Sequence, residues 1–416
     1  MCGMRETGLN AHYQQILGDT TPWEVSEVRL DVEGLVNEIK LTVKPDTIWA
    51  CPRCHSRMHI KEWRPRRWRH MDTCQFKTIL EAAVPLVECS EHGAQTVQVP
   101  WAEGSSRFTL FFERFAVKVL EACPTARASE LLKISWDEAD GIKQRAVRRG
   151  VARRQVSGLE YVCVDEKAVG RGQDYVTVVT GVVGGKPQVL YVGDGRDETA
   201  FNGFWEWLGP EGCARIKAVS MDMSRSYQNS VNRYCPDADL IFDPFHLMKM
   251  LNQAVDEVRR RELVMGSGSD REALKQTRQM WLWGEENLPK RHAARFEALK
   301  ESTLKTARAW RLKELWRTFK RCLDVDDAHA FFHKWYVLSM QSKLEPVKKV
   351  ARTFKAHLAG IVTLFKHGFC NALAESVNSR IQLLLQKSCG YRNRERLKTD
   401  ILFHFGGLNM DPLPVQ

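Results

Sequence analysis

The stretch YVCVD, at residues 161–165, decides the fold of this chain. Its first four residues are apolar, as in a strand that is covered on both faces, and its last residue is a carboxylate. Because successive side chains of a strand alternate, Asp165 shares a face with Cys163, and Glu166 points to the opposite face. The pattern therefore predicts a buried strand that ends in an acidic residue.

The residues that follow continue the pattern of a mixed sheet. Two runs rich in β-branched residues are separated by Gly184-Gly185 and predict a hairpin beside the first strand. A helix with Phe201 and Phe204 at helical spacing comes next, and a short strand then ends in Asp222. The predicted strands are residues 161–165, 174–183, 188–192, 216–222 and 238–243, and the predicted helices are residues 198–208 and 227–234. A strand, a hairpin and a helix open a ribonuclease-H-like sheet, so the predicted fold class is α/β.

A third acid, Glu375, lies in a segment that predicts a helix. Residues 370–386 carry an apolar stripe, which includes Val377 and Ile381, and leave Glu375 and Asn378 on a polar edge. An exposed glutamate on an amphipathic helix is commonly only solvated, so this position alone has two interpretations. The order strand acid, strand acid, helix acid favours a joint site, because a helix packed on the sheet could bring Glu375 to Asp165 and Asp222.

Three carboxylates around one site suit divalent metal ions and phosphoryl transfer on DNA. Mg²⁺ (or Mn²⁺) prefers oxygen ligands, and two such ions can activate an attacking oxygen and stabilise a leaving oxygen. On this hypothesis Asp165, Asp222 and Glu375 are the catalytic residues and hold two ions, with Asp165 bridging them. Four competing acids lie beside the predicted strands, namely Glu166, Asp194, Asp197 and Asp243.

Asp243 and His246 lie where a long helix, residues 244–264, is predicted to begin. Asp243 directly precedes Pro244, and an acid before a proline is typical of a helix N-cap. His246 follows one turn later. It could contact the scissile phosphate, or it could be a structural histidine.

The N-terminal third contains a candidate metal site. Cys51 and Cys54 have the two-residue gap of a zinc knuckle, and Cys89 with His92 supplies a second pair at the distance of a zinc ribbon. These four residues are the predicted ligands of one structural Zn²⁺. Other candidate ligands are His55, His59, His70 and Cys74. The alternative to a metal site is that these are unrelated side chains of a cysteine-rich protein.

Basic segments between and after the two metal-ligand pairs predict contacts with DNA. Between the two pairs, arginines alternate with tryptophans, and such a segment can neutralise phosphates or form a solvated edge. Residues 111–122, 126–132 and 135–151 then predict a helix-turn-helix, whose third helix would enter a major groove. The candidate DNA-binding residues are Arg64, Arg66, Arg67, Arg69, Lys143, Arg145, Arg148, Arg149 and, near the C-terminus, Arg392 and Arg394.

The charge and the length of the chain agree with a DNA-binding protein of several domains. The 416 residues contain 62 Lys and Arg against 51 Asp and Glu, a net charge of +11, which favours a polyanionic partner. The 12 cysteines, without a signal sequence or a membrane-length apolar run, indicate a reducing, cytoplasmic location. The predicted divisions are an N-terminal segment (1–45), a zinc ribbon (46–105), a helix-turn-helix (106–155), a catalytic domain (156–262 and 366–416) and a helical insertion (263–365).

Several stretches together resemble the DDE transposases of bacterial insertion sequences, specifically the ISL-three family. They are residues 192–199, 218–224, 242–249, 371–378 and 390–393, and the resemblance runs from the metal site to the C-terminus. It implies that Asp165, Asp222 and Glu375 are the catalytic triad of a nucleoid-associated enzyme. His92 departs from the expected pattern, since it stands where a cysteine is expected.

The resemblance implies an enzyme that binds the terminal inverted repeats of its own element, cleaves the ends and transfers the 3′-hydroxyl to target DNA. Because two ends must be held together, at least a homodimer is expected. Two other classes stay open from the residues alone. One is a nuclease that cuts DNA without joining it, and the other is a DNA-binding regulator in which the acidic domain is structural.

Overall fold

A computed structural model describes residues 3–18, 20–51, 53–170, 172–368, 372–388 and 390–413. The chain forms two compact units. The first unit comprises Met1–Arg154 together with Leu408–Gln416, and the second comprises Gln155–Gly407.

The first unit pairs a sheet with a helical bundle. Its elements are α1 (Gly3–Leu17), β1 (Trp23–Asp31), β2 (Val36–Val43), β3 (His59–Arg69), β4 (Lys77–Cys89), β5 (Gly93–Thr96), α2 (Leu110–Ala122), α3 (Thr125–Leu132) and α4 (Trp136–Ala152). The strand order is β1-β2-β4-β3, and β5 pairs with β4. A core of Trp23, Trp68 and Trp101 packs edge to face beneath this sheet.

The N-terminal segment is part of the same sheet. β2 pairs with β4 in parallel register, from Val36 opposite Lys77 to Leu41 opposite Ala82. The division predicted at residue 45 therefore falls inside one continuous sheet. Local sequence could not show this, because the partner of β2 lies on the far side of the first cysteine pair.

The three helices of the predicted helix-turn-helix are present with sequence-encoded ends. The Thr109 side chain caps α2 by accepting from the backbone of Phe112. Ser135 and Glu138 form a reciprocal capping box at the start of α4. The predicted cap at Ser135 is thus confirmed.

The second unit holds the ribonuclease-H-like sheet. Its strands are β6 (Tyr161–Ala168), β7 (Tyr175–Val183), β8 (Lys186–Asp194), β9 (Ala218–Met221) and β10 (Asp239–Phe242). The order is β10-β9-β6-β7-β8, with β6, β7 and β8 antiparallel and with β9 parallel to both β6 and β10. The predicted fold class is confirmed.

The helices of this unit follow the strands and form most of its second half. They are α5 (Glu198–Cys213), α6 (Arg225–Tyr234), α7 (Pro244–Met265), α8 (Gly268–Leu274), α9 (Arg278–Leu282), α10 (Lys290–Lys300), α11 (Lys305–Arg317), α12 (Val325–Gln341), α13 (Glu345–Ala356), α14 (Leu358–His367), α15 (Ala372–Lys387) and α16 (Arg394–Phe405). The helix predicted at 198–208 continues past a kink at Gly209, whose φ is 75°. Asp243 caps α7 as predicted, since its Oδ1 accepts from the backbone of Phe245.

Both faces of the sheet are covered, as the apolar run at residues 161–165 predicts. One face packs Val162 and Val164 into a core that continues through α5 to the insertion tryptophans. The other face packs Val176 and Val178 against α15 and α16. The insertion aromatics Trp281, Trp310 and Trp335 are buried and belong to this core.

Candidate active site and metal centre

Asp165 and Asp222 lie side by side on neighbouring strands. β6 was predicted to end at Asp165 but continues to Ala168, because residues 165–168 still pair with β7, whereas Asp222 directly follows β9. Cys163 of β6 is opposite Ser220 of β9 in parallel register, so each acid follows two residues later along its own strand direction. Asp222 sits just after β9, where its Oδ1 accepts a hydrogen bond from the backbone of Ser224 at 2.8 Å. Parallel pairing therefore brings the two predicted acids to one edge of the sheet.

Asp165 is tied on both oxygens. Its Oδ1 accepts from the backbone of Glu166 at 2.8 Å, and its Oδ2 accepts from the Asn378 amide at 2.6 Å. Burial raises the pKa of Asp165 to about 6, and the nearby Asp243 and Asp222 add to this rise, whereas the backbone hydrogen bond and His246 oppose it. The carboxylate is still the main form at neutral pH, but burial and the neighbouring acids disfavour its charge, which a bound cation would offset.

Glu375 lies in the first turn of α15, and its side chain is exposed. Partial burial raises its pKa, Asp243 raises it further and His246 lowers it, so all three groups act on one another. α15 packs on the sheet through Val377 and Ile381. The predicted helix acid is thus on the helix that covers the site.

Asp243 and His246 form a dyad at the same place. The His246 Nδ1–H donates to Asp243 Oδ2 at 2.8 Å, and Asp243 is 3% exposed. This hydrogen bond is the main cause of a raised pKa at His246, and Asp222 and Asp165 contribute as well. His246 therefore interacts with all three of these carboxylates and brings a positive charge to them when it is protonated.

Asp165 and Glu375 both interact electrostatically with Asp243 and His246, but the three predicted acids do not form a close cluster. Among the described residues, one group of His, Cys, Asp or Glu side chains has its ligand atoms within 4.8 Å of one another, and it lies in the first unit. The oxygen atoms of Asp165, Asp222 and Glu375 are therefore more widely spaced than that. Their oxygen-rich donor set is nonetheless the type that Mg²⁺ and Mn²⁺ bind. Desolvation and mutual repulsion at Asp165 are the conditions that divalent ions would relieve, so these residues fit the metal hypothesis.

Asn378 is a site residue that the sequence left unassigned. It is 8% exposed, donates to Asp165, and its Oδ1 is buried with no hydrogen-bond partner among the described residues. Its position could have been predicted from the sequence, because Asn378 lies three residues after Glu375 and thus on the same helix face. Likewise, Asp243 lies three residues before His246, the spacing of their hydrogen bond.

The first unit contains a formed metal centre. The Sγ atoms of Cys54 and Cys89 are 3.5 Å apart, and the His92 Nδ1 lies 3.7 Å from the Sγ atoms of Cys51 and of Cys89. A tetrahedral zinc with metal–sulfur bonds of about 2.3 Å separates its sulfur ligands by about 3.8 Å. The site therefore fits zinc, and His92 takes the position of the fourth ligand.

The predicted DNA-binding residues divide by burial. Arg64, Arg67, Arg148 and Arg392 are exposed, whereas Arg66, Arg145 and Arg394 are half-buried. Arg64 pairs with Glu62, Arg67 with Glu38, and Arg394 with Asp174. Arg66 bonds the carbonyls of Gly104 and Ser106, and Arg145 donates to the buried Glu113.

Three of these predictions need correction. Arg69, Lys143 and Arg149 are 7%, 2% and 8% exposed, so DNA cannot reach their charges in this fold. Arg69 pairs with Asp72, and Arg149 pairs with Glu103 and donates to the carbonyl of Met410. These residues stabilise the first unit, because a buried cation must be paired.

The ribonuclease-H-like sheet, with acids side by side on adjacent parallel strands, is the arrangement of a DDE-type catalytic fold. Residues 162–401, more than half of the chain, match the transposase model of the ISL3 (ISL-three) family. Residues 48–92 match the zinc-finger of transposases IS204/IS1001/IS1096/IS1165, and residues 97–147 match the helix-turn-helix domain of transposase family ISL3. The chain belongs to the ISL3 family of DNA transposases.

Curated relatives agree along most of the length. The transposase for insertion sequence element IS1001 from Bordetella parapertussis is 25% identical over 379 residues, which cover 89% of this chain and 92% of that protein. The transposase for insertion sequence element IS1557 from Mycobacterium tuberculosis is 27% identical over 362 residues, 80% of each. Among the described residues, every helix is too short or too polar to cross a membrane.

Proposed function

We propose that this transposase binds the terminal inverted repeats of its insertion sequence, cleaves the ends and transfers the 3′-hydroxyl to target DNA. The observation that carries the proposal is the placement of Asp165 and Asp222 on neighbouring strands, with Glu375 on the helix whose Asn378 donates a hydrogen bond to Asp165. Parallel pairing of β6 and β9 supplies the first two acids, and α15 supplies the third.

The three acids would hold two divalent ions. Asp165 would bridge both, with Asp222 on one ion and Glu375 on the other. When bound, such ions lower the pKa of an attacking water or 3′-hydroxyl and stabilise the leaving oxygen. Asp165 is fixed for this role by hydrogen bonds to both of its oxygens.

The remaining residues of the site would position the catalytic acids and orient the DNA. Asp243 accepts from the Nδ1–H of His246, so the Nε2–H of the protonated ring would donate to a non-bridging oxygen of the scissile phosphate. Asn378 holds Asp165 against the helix that bears Glu375. The side chains would thus place a phosphodiester between three acids and one donor.

DNA would be held outside the catalytic sheet by exposed cations. Arg64 and Arg67 on β3, Arg148 on α4, and Arg392 are accessible to phosphates. The zinc ribbon would be stabilised by one structural Zn²⁺ on Cys51, Cys54, Cys89 and His92. We expect the active form to be at least a homodimer on DNA, so that two ends react together.

The test uses the purified full chain with a labelled duplex carrying the inverted repeat that flanks its gene, a target plasmid and Mg²⁺. Asp222→Asn should reduce end cleavage and joining by on the order of 100-fold or more, since a metal ligand contributes several kcal/mol. Asp194→Asn is the matched control, because Asp194 is an exposed acid at the end of β8 paired with Lys398. It should leave both reactions unchanged.

The outcomes separate the alternatives. Mg²⁺-dependent cleavage with joined products, lost in Asp222→Asn, supports the proposal. Cleavage that never yields joined products would indicate a nuclease. Tight binding of the repeat with no cleavage at any Mg²⁺ concentration would indicate a regulator.

A further inference from the structure

A groove of about 250 Å³ runs along α7 and begins next to the active site. We call it the α7 groove. The residues that matter for its chemistry are Phe245, Lys249, Asn252, Asp256, Arg260 and Arg278. They recur at helical spacing on α7, except Arg278, which comes from α9. The groove thus leads away from the Asp243–His246 dyad along one helix face.

The inner end of the α7 groove is an exposed aromatic ring. Phe245 is 61% exposed, although an apolar ring of this size is normally buried. Its backbone N–H donates to Asp243, and its ring meets the His246 ring edge to face at 5.9 Å. The dyad therefore fixes the ring at the mouth of the site, with a face open to a ligand.

The middle and outer parts of the α7 groove are polar and positive. Lys249 is exposed, and the Asn252 Oδ1 is buried without a hydrogen-bond partner among the described residues. Farther out, Arg260 and Arg278 both reach the single carboxylate of Asp256 at 3.4 Å. With Lys249, the groove carries three cations and one anion, so it attracts phosphates.

We propose that the α7 groove binds unpaired nucleotides of the DNA strand next to the scissile phosphate. One base stacks on Phe245, and the backbone phosphates lie along Lys249, Arg260 and Arg278. An aromatic platform followed by cations is the combination that binds single strands without sequence preference. The inference rests on the proposed function, because it requires DNA at the acid cluster.

A protein partner fits the groove less well than a nucleic acid strand. The apolar lining consists of Phe245, Met248 and Leu282, which is too little to dock a helix, and the other lining residues are charged or amide side chains. The position of the groove also favours DNA, because Phe245 directly precedes His246, the residue proposed to donate a hydrogen bond to the scissile phosphate. A strand that leaves the acids would meet Phe245 first.

The test compares binding of two duplexes by the full chain without added Mg²⁺. Both carry the inverted repeat, and one continues as a short run of unpaired dT nucleotides at the cleaved end. We expect wild type to bind the extended duplex about 10-fold more tightly, since stacking of one base contributes roughly 1–3 kcal/mol. Phe245→Ala should abolish this preference, and Phe245→Trp should retain it.

Two further variants make the result specific. Val264→Ala is the matched control, because Val264 is a 72% exposed apolar residue at the other end of α7, and it should keep the preference. Lys249→Ala should lower the slope of log affinity against log salt concentration by about 1 for the extended duplex only.

A preference that survives Phe245→Ala, or that Val264→Ala abolishes equally, overturns the proposal for the α7 groove. Equal affinity of the wild type for the two duplexes overturns it as well. In that case, binding of the duplex without the extension would still support the proposed function. Failure of wild type to distinguish the repeat from unrelated duplex would instead count against the proposed function.

Discussion

Replacing Asn378 by alanine should uncouple the two halves of the catalytic site. The Asn378 amide donates to Asp165 Oδ2 at 2.6 Å and is the direct hydrogen bond between α15 and the acid of β6. Glu375 lies one turn earlier on the same helix. The substitution removes the donor while leaving both acids in place.

The size of the effect follows from the charge on the acceptor. A hydrogen bond to a charged group contributes roughly 1.5–3 kcal/mol, and each 1.4 kcal/mol is about a factor of ten. Because the donor favours the ionised carboxylate, its loss also makes Asp165 a weaker metal ligand. We expect Asn378→Ala to slow end cleavage by about 10- to 100-fold.

The assay is single-turnover cleavage of the labelled repeat at a series of Mg²⁺ concentrations. Asn378→Ala should move the midpoint of the Mg²⁺ dependence to higher concentration, so that part of the rate returns at saturating metal. Ser379→Ala is the control on the same helix, because the Ser379 hydroxyl bonds only its own helix, at the carbonyl of Glu375, 2.9 Å away. It should behave as wild type.

The reasoning would be refuted by an unchanged rate and Mg²⁺ midpoint in Asn378→Ala. It would also be refuted if Ser379→Ala reduced the cleavage rate as much as Asn378→Ala does, because the effect would then arise from a loss of stability of α15. Thermal unfolding of both variants distinguishes these cases, because a positioning role changes the Mg²⁺ dependence without a matching change in Tm.

Three other predictions concern stability and metal content. Cys89→Ser should abolish bound zinc measured by elemental analysis, whereas Cys74→Ser, at an exposed cysteine of the same unit, should retain it. Burial, with the charge of Arg69, lowers the pKa of His70 from 6.5 to about 4, so between these values only the unfolded chain binds the proton. Unfolding free energy should therefore fall by about 3 kcal/mol as pH decreases from 6.5 to 4, and His70→Gln should remove this part of the dependence in urea titrations. The buried Lys313 Nζ donates to the carbonyls of Trp281, Leu282 and Trp283 at 2.9–3.2 Å. Lys313→Met should lower the unfolding free energy by about 3 kcal/mol, and Lys334→Met, at an exposed lysine, by far less.

Local patterns in the sequence were enough for the elements of the catalytic sheet. Apolar runs and the Gly184-Gly185 turn predicted β6, β7 and β8, because strand burial and turn geometry depend on neighbouring residues. Asp243 and Ser135 were predicted as helix caps for the same reason. The zinc ligands followed from spacing, since a knuckle requires two cysteines close together in the chain.

Contacts between distant residues could not be predicted in this way. The hydrogen bond between Asn378 and Asp165 joins residues 213 positions apart, and no local pattern encodes it. The parallel pairing of β2 with β4 likewise depends on the whole sheet. Each required the tertiary structure.

The sequence by itself determined the kinds of element, their order and the candidate acids and cysteines of the two proposed sites, because periodicity and spacing act over short range. Only the tertiary structure decided which charges are available. Arg148 and Arg149 are adjacent in a basic helix, yet Arg148 is exposed while Arg149 is buried against Glu103 and the carbonyl of Met410. The difference arises from what packs on each side of α4, since the cost of burying a cation is met only where partners from remote segments converge on it.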